Sequence, residues 1–312
     1  MEEASMKQAI NARPLGRVRR RSVIGLVLSG AVLMVACGGD DATSDSTPAD
    51  TSAVESDSMR IVSLSPTHTE ILYAIGAGDL VVAVDSMSNY PADAAITDLS
   101  AYEPNVEAIA EFDPDLVVIG DDFTGLAEQL TAIGVGSWVS AAPTTLDEAY
   151  AQITELGQAV GRAEEASALA DSMKSDIDEV VAGAVQLPDG SSYFLELDDT
   201  LYSVTSNTFV GSIFSLFGLR NIADATEGDT DYPQLSAEFI VSQDPTLIFL
   251  ADTKCCGATA ESVAARPGWD VLGAVMNGHV FELDDDVASR WGPRLVEFVA
   301  AIADALKVAG SE

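Results

Sequence analysis

Two fifteen-residue segments of this chain align with each other without a gap, at a constant offset of 131. They are VEAIAEFDPDLVVIG (106–120) and AEFIVSQDPTLIFLA (237–251). Glu107 falls on Glu238, Ile109 on Ile240, Asp113–Pro114 on Asp244–Pro245 and Leu116 on Leu247. Each copy reads as a helix, then an Asp-Pro break, then a strand. Proline disfavours helical backbone at the residue before it, so the helix ends there. The strand that follows is apolar at almost every position, as strands buried on both faces of a parallel sheet are. A repeated helix–break–strand unit restricts the chain to two related α/β lobes.

The same alternation continues around both copies. Strands are expected at 60–64, 80–84, 116–120, 137–140, 192–197, 246–251 and 279–284, with helical patterns such as GLAEQLTAI, VGSIFSLFG and AEFIVSQ between them. This is the pattern of an α/β protein. Between the copies, 145–184 contains no proline, and Ala149, Ile153, Leu156, Val160, Leu169, Met173, Ile177 and Val180 recur mostly at three- and four-residue steps. Read as one helix it would reach on the order of 50 Å at 1.5 Å per residue, long enough to join two lobes. The expected division is a first lobe over 60–143, a linking helix over 144–184 and a second lobe over 185–312.

The first 36 residues stand apart from the fold. RPLGRVRRR is a basic stretch, and the 15 apolar residues SVIGLVLSGAVLMVA follow it. That run is short for a membrane span, which needs about 20 residues, and has the layout of a secretory signal. LMVAC resembles a bacterial lipobox, so cleavage before Cys37 and lipidation of its thiol would leave an exported protein on the outer face of the cell membrane. The alternative is an uncleaved N-terminal anchor. Residues 37–59 are polar and acidic without apolar periodicity, the composition of a flexible tether.

The chain has 15 basic and 50 acidic residues. Residues 1–36 hold six of the basic and two of the acidic ones, so the remainder carries a net charge of −39. Nucleic acid, which is bound by lysine and arginine displacing counterions, is excluded as a partner. Apart from Cys37 the only cysteines are the neighbours Cys255 and Cys256. Two thiols or a vicinal disulfide are both open there, and no zinc-type spacing exists.

Catalytic signatures are absent. There is no G-x-S-x-G elbow, H-E-x-x-H, Walker A loop or G-x-G-x-x-G fingerprint. The two histidines, His68 and His279, lie far apart in sequence, and His279 reads as an exposed residue entering a strand. A bare-metal receptor would need several converging histidines and carboxylates. The acidic run LDDD (283–286) lacks the spacing of a calcium loop and reads as a solvated face.

Four stretches in series, RIVSLSPTHTEILYAIGAGDLVVAVDSMSNYP, PNVEAIAEFDPDLVVIG, YPQLSAEFIVSQDPTLIFLAD and ASRWGPRLVEFVAAIADAL, resemble the substrate-binding proteins of metal-chelate ABC importers. The resemblance covers nearly all of residues 60–308. It implies two Rossmann-like lobes joined by a long helix, a ligand cleft between them, and no enzymatic activity or intrinsic cofactor. The implied ligand is a ferric siderophore or cobalamin, with haem as the alternative, and the implied partners are a permease and its ATPase. An exported α/β enzyme is the reading from a different class.

The resemblance also places Glu107 and Glu238 where one glutamate per lobe docks on permease arginines. Carboxylate–guanidinium contacts of this kind are charge-assisted and directional. The cleft is expected at the carboxyl ends of the strands, lined by Thr67, His68, Tyr90 and Tyr102 on the first lobe and Tyr232, Arg290 and Trp291 on the second. Aromatics suit a macrocyclic chelate, and Arg290 suits a carboxylate or phosphate on it. Arg294 reads as structural, and the Cys255–Cys256 pair as a brace or a metal contact at the rim. In LSPTHTE, Ser65 can cap a helix that has Pro66 at its first position, or Thr67 can form a capping box with Glu70. Either choice puts a neutral His68 in the first turn, as a ligand contact or a neighbour of the cap.

Overall fold

A computed structural model of the chain describes residues 58–311. The leader, Cys37 and the tether up to residue 57 lie outside the described residues. The expected strands form, in two separate parallel sheets. The first lobe runs β1 (Ile61–Leu64), α1 (Pro66–Ala74), β2 (Val81–Val84), α2 (Val106–Ala110), β3 (Leu116–Ile119), α3 (Leu126–Ala132) and β4 (Gly136–Val139). Helices α4 (Leu146–Ala159) and α5 (Ala163–Gly183) come next. The second lobe runs β5 (Ser192–Glu196), α6 (Phe209–Ser215), β6 (Arg220–Asn221), α7 (Ala237–Gln243), β7 (Leu247–Leu250), α8 (Thr253–Cys256), α9 (Ala260–Ala264), α10 (Gly273–Met276), β8 (Val280–Glu282), α11 (Asp285–Ala288) and α12 (Leu295–Ala309).

The sheet orders are β2-β1-β3-β4 and β6-β5-β7-β8, so each lobe has the same topology. The aligned segments become α2–β3 and α7–β7, and their matched positions do the same work. Asn105 and Ser236, also 131 apart, cap their helices by accepting from the N–H of Ala108 and Phe239, each at 3.1 Å. Asp113 and Asp244 both take left-handed backbone, at φ 47° and 43°, where the helix gives way to proline. Such backbone is uncommon outside glycine, and its recurrence at matched positions is the signature of one unit used twice.

One expectation needs correcting: 145–184 is two helices. Gly161, at φ +72°, turns the chain between α4 and α5, and a Cβ at Gly157 would lie 2.2 Å from the Ala166 Cβ. These glycines let α5 fold back onto α4. The connection between lobes is therefore α5 alone, 21 residues or about 32 Å.

Side chains alternate along the strands with period two. Val62, Leu64, Val117 and Ile119 pack with α2 and α3 in the first lobe, and Phe194, Ile248 and Leu250 pack with Trp269 in the second. The opposite faces, with Ile61, Val118, Tyr193, Leu195, Leu247 and Phe249, share one core. Ile153 and Leu156 of α4, Met173 and Ile177 of α5, and Phe298 and Ile302 of α12 complete it. Both lobes thus draw on the same apolar interior.

Within that contact lies a charge cluster. Glu70 of α1 is 2 % exposed. Its Oε1 accepts from Arg290 Nη1 at 2.8 Å and Arg294 Nη2 at 2.6 Å, and its Oε2 from Arg294 Nε at 3.0 Å. One carboxylate of the first lobe thereby holds two guanidiniums of the second. A capping box is not formed. Ser65 is the N-cap of α1, with Pro66 at its first position, and its side chain caps no N–H.

A second buried cluster sits at the carboxyl ends of β5 and β7. Glu196 accepts from Arg266 Nη1 and Nη2, each at 2.5 Å. Asp252 beside it is fully buried, with neither oxygen hydrogen-bonded. Burial and the adjacent Glu196 carboxylate raise the Asp252 pKa to about 7.

Two outcomes are expected. A carboxyl that holds its proton more tightly folded than unfolded stabilises the fold fully below its unfolded pKa, and that stabilisation is lost as pH rises through its folded value. The melting temperature should therefore fall between about pH 4 and pH 7, and Asp252→Asn should flatten that slope; an unchanged slope in a calorimetric pH series would count against a raised Asp252 carboxyl. Glu70→Gln leaves the part-buried Arg294 without its counter-charge and Arg290 with Asp286 alone, a loss of up to about 3 kcal/mol that should appear as a lowered urea midpoint.

Candidate functional site

The parallel sheets put the loops after β1, β2 and β3 on one side of the first lobe, facing the α11–α12 junction of the second. Between them lies a cavity of about 310 Å³. Thr67, Asp85, Tyr102 and Phe123 contribute from the first lobe, and Asp286, Arg290 and Trp291 from the second. A larger hollow of about 510 Å³ on the second lobe is lined by that lobe only. Its polar groups already serve one another, Asp224 accepting from Ser206 and Asp231 from Thr205 and Asn207.

Of the seven residues expected to line the cleft, the cavity gathers four: Thr67, Tyr102, Arg290 and Trp291. Tyr102 is 83 % exposed at the rim. Trp291 is anchored by its indole N–H, which donates to Gln152 Oε1 of α4 at 2.9 Å. Tyr90 is not among the lining residues; its ring lies under the Arg294 guanidinium, 4.3 Å from the centroid. Tyr232 is exposed elsewhere on the second lobe.

His68 is corrected to a packing residue. It is fully buried behind the cavity wall, edge-on to Trp138 at 4.8 Å and to Trp291 at 6.0 Å. Its Nδ1 pairs with Ser65 Oγ at 2.7 Å, and Nε2 has no partner in hydrogen-bond geometry. Burial lowers its pKa to about 4, with the nearby Gln152 side chain acting in the opposite direction, so the imidazole is neutral. His279, expected in the open, is also buried, its ring stacked on Phe281.

Arg290 lines the cavity, but its guanidinium is already engaged. Besides Glu70, it donates through Nη2 to Asp286 Oδ1 at 2.8 Å, Asn89 Oδ1 at 3.0 Å and the Met87 carbonyl at 3.2 Å. Among the described residues, Arg290 is the one Lys or Arg lining this cavity. The expectation that it waits for a ligand carboxylate or phosphate is therefore not met. The other ionisable lining groups are acidic: Asp85, Asp121 and Asp286. Asp85 is buried at the end of β2, where desolvation raises its pKa against the hydrogen bond from Ser88 and the field of Arg290. Sequence reasoning missed Asp85, Asp121 and Phe123. Phe123, 89 % exposed in the loop after β3, carried a usable signal: a large aromatic just past the carboxyl end of a buried strand.

The acidic run 284–286 is solvated only in part, at Asp284, and each of its members is engaged. Asp284 caps α11, Asp285 binds the start of α8, and Asp286 joins Lys254, Arg290 and Asn89. Glu107 and Glu238 lie exposed in the first turns of α2 and α7. Cys255 and Cys256 are joined in a vicinal disulfide on α8. Among the described residues, no three of His, Cys, Asp or Glu converge to hold a metal ion. The cavity thus offers hydrogen-bond acceptors and aromatic faces, the equipment of a binding site.

Comparison with known proteins agrees with this architecture. The chain is 28% identical over 312 residues to the ABC transporter substrate-binding lipoprotein YvrC of Bacillus subtilis, itself uncharacterized, covering 92% of this chain and 97% of that one. It is 30% identical over 264 residues to the cobalamin-binding protein of Halobacterium salinarum, covering 81% of this chain and 70% of that one. Among solved structures, the periplasmic vitamin B12 binding protein BtuF of Vibrio cholerae superposes with a TM-score of 0.64 at 27% identity, covering 81% of this chain and 98% of that one. Residues 61–287 match the family described as periplasmic binding protein. That match over 61–287, with a duplicated α/β scaffold and a cleft between its lobes, places this chain in the periplasmic binding protein family, a family of binding proteins.

Proposed function

We propose that this chain is the substrate-binding protein of an ABC importer for a metal chelate, and that the chelate is neutral or cationic. Cobalamin is the first choice and a hydroxamate-type ferric siderophore the second. One observation carries this reading: the guanidinium at the cavity is spent on Glu70, Asp286 and Asn89, while the remaining ionisable lining is acidic. A ligand bearing carboxylates would be desolvated there without a counter-charge, which is costly. Amide-rich or cationic chelates present donors to Asp85, Asp121 and Asp286, and broad faces to Tyr102 and Phe123. The relatives that bind cobalamin support this choice. Haem is disfavoured by the same cavity, because its carboxylates would find no free cation and the imidazole of His68 lies behind the wall.

The proposal extends to the membrane. Cys37 carries the lipid, residues 37–59 form the tether, and the monomeric receptor docks through Glu107 and Glu238 on a permease driven by its ATPase. The matched caps and exposed first-turn positions of these two glutamates support a paired role.

Two measurements test the reading. Titration of the purified chain with cyanocobalamin, a hydroxamate ferric siderophore and haem, followed by tryptophan fluorescence, should show the tightest binding for one of the first two, since Trp291 borders the cavity. Micromolar or better affinity is expected; no response to any chelate, or haem binding tightest, sinks the assignment. Glu107→Arg combined with Glu238→Arg should abolish uptake in cells while leaving chelate affinity within about twofold, because the exchanged positions carry no ligand contact.

A further inference from the structure

The vicinal pair Cys255–Cys256 borders no part of the cavity, and the function proposed above leaves it unused. Both cysteines are exposed on α8, a helix of only four residues. Asp285 Oδ1 accepts from the Thr253 backbone N–H and hydroxyl, each at 2.8 Å. Its Oδ2 accepts from the backbone N–H groups of Lys254 and Cys255, each at 2.9 Å. The amide of the first cysteine is thus bound to the acid that opens α11. The Lys254 ammonium bridges Asp284 at 2.6 Å and Asp286 at 3.1 Å. Asp286 in turn accepts from Arg290 at 2.8 Å and, across the lobes, from Asn89 at 3.1 Å. Two links therefore separate the disulfide from the cation of the cleft.

We propose that Cys255–Cys256 is a reversible thiol–disulfide exchange site whose redox state sets the position of Asp286 and Arg290 at the cleft. The co-reactant is an uncharged dithiol. One of its thiolates attacks a cysteine sulfur, forming a mixed disulfide and breaking the Cys255–Cys256 bond, and the released cysteine thiolate takes up a proton. The second thiol then displaces the other cysteine, which is protonated in turn. The dithiol leaves as a cyclic disulfide, and the pair has gained two electrons and two protons. Asp284, Asp285 and Asp286 crowd the exposed site and repel anionic thiols at low salt, a repulsion that Lys254 and added salt weaken.

The disulfide closes a small ring around the 255–256 peptide and removes its rotations. Asp252, at the N-cap of α8, makes no side-chain cap, so the Asp285 and Lys254 contacts are the ties that reduction loosens. Because Asp285 and Asp286 are adjacent in α11, the loosening reaches Asp286 and then Arg290. A brace confined to α8 would end the effect at residue 257.

The test needs no ligand, so its outcome is independent of which chelate the cleft takes. The full chain, purified under air, is compared before and after dithiothreitol and again after reoxidation. Alkylation mapped by peptide reads the two thiols, and amide hydrogen exchange reads α8 and 285–291. Expected are no alkylation of Cys255 or Cys256 before reduction and alkylation of both after it. Exchange across 285–291 should accelerate by about fivefold or more and reverse on reoxidation. The Cys255→Ser/Cys256→Ser variant should exchange at the reduced rate and ignore dithiol; if it does not fold, the wild-type cycle decides alone. Alkylation of both cysteines without reductant, or faster exchange limited to 253–257, overturns the proposal.

Discussion

A single buried carboxylate, that of Glu70, organises the meeting of the two lobes. Burying one acid and two guanidiniums costs desolvation that their mutual attraction barely recovers, so such clusters add little net stability. What they add is register. The five-donor geometry of each guanidinium fixes where α12 begins relative to α1, and Arg290 Nη2 is engaged by Met87, Asn89 and Asp286. The same contacts leave the cleft without a free positive charge. Lobe alignment and the proposed ligand class are in this way tied to one ion cluster.

The two lobes share a topology but have diverged at the sheet ends that face each other. The register of β1 on β3 and β5 on β7 makes Leu64 the counterpart of Glu196. Leu64 ends its strand as an apolar residue, and the loop after it opens onto the cavity. Glu196 ends its strand inside a bidentate pair with Arg266, whose guanidinium stacks over Trp269 at 4.7 Å. That end of the second sheet is occupied by its own charges, and Glu196 and Asp252 are closed to solvent. The second lobe consequently meets the cavity through the α11–α12 junction, and most lining residues come from the first lobe. A duplicated unit has here been given two roles, one sheet end open and one sealed.

What the sequence made legible was the local and the repeated. Buried strands, the Asp-Pro breaks and the capped helices α2 and α7 depend on neighbours within a few residues, and all could be read from pattern. The break between α4 and α5 was also written there, in Gly157 and Gly161, but apolar periodicity on both sides concealed it. The reading failed where a partner is remote. Arg290 looks like a free cation until Glu70, 220 residues away, is brought against it. His68 looks like a polar residue at a helix entrance until Trp138 and Trp291 close over it. Asp284 to Asp286 look like a solvated run until Lys254 and the start of α8 arrive. Charge pairing across lobes leaves no trace in the spacing of either partner.

A strongly acidic protein with an acceptor-lined cleft also divides its electrostatics by range. At physiological ionic strength the field of exposed charges decays within about 8 Å, so the net charge of −35 has limited power to sort ligands at a distance. Inside the cavity the situation reverses. Asp85 is nearly excluded from solvent, and there an unmatched anion on a ligand meets a carboxylate with little water between them. On the proposed function, discrimination against anionic chelates would be made at the floor of the cleft, in desolvation and like-charge contact. Affinity for an accepted ligand must then come from apolar faces, such as those of Tyr102 and Phe123, which favour a broad ligand without asking for charge. Under that proposal, selection by exclusion and binding by area fall to different side chains, Asp85 for the first and Tyr102 and Phe123 for the second.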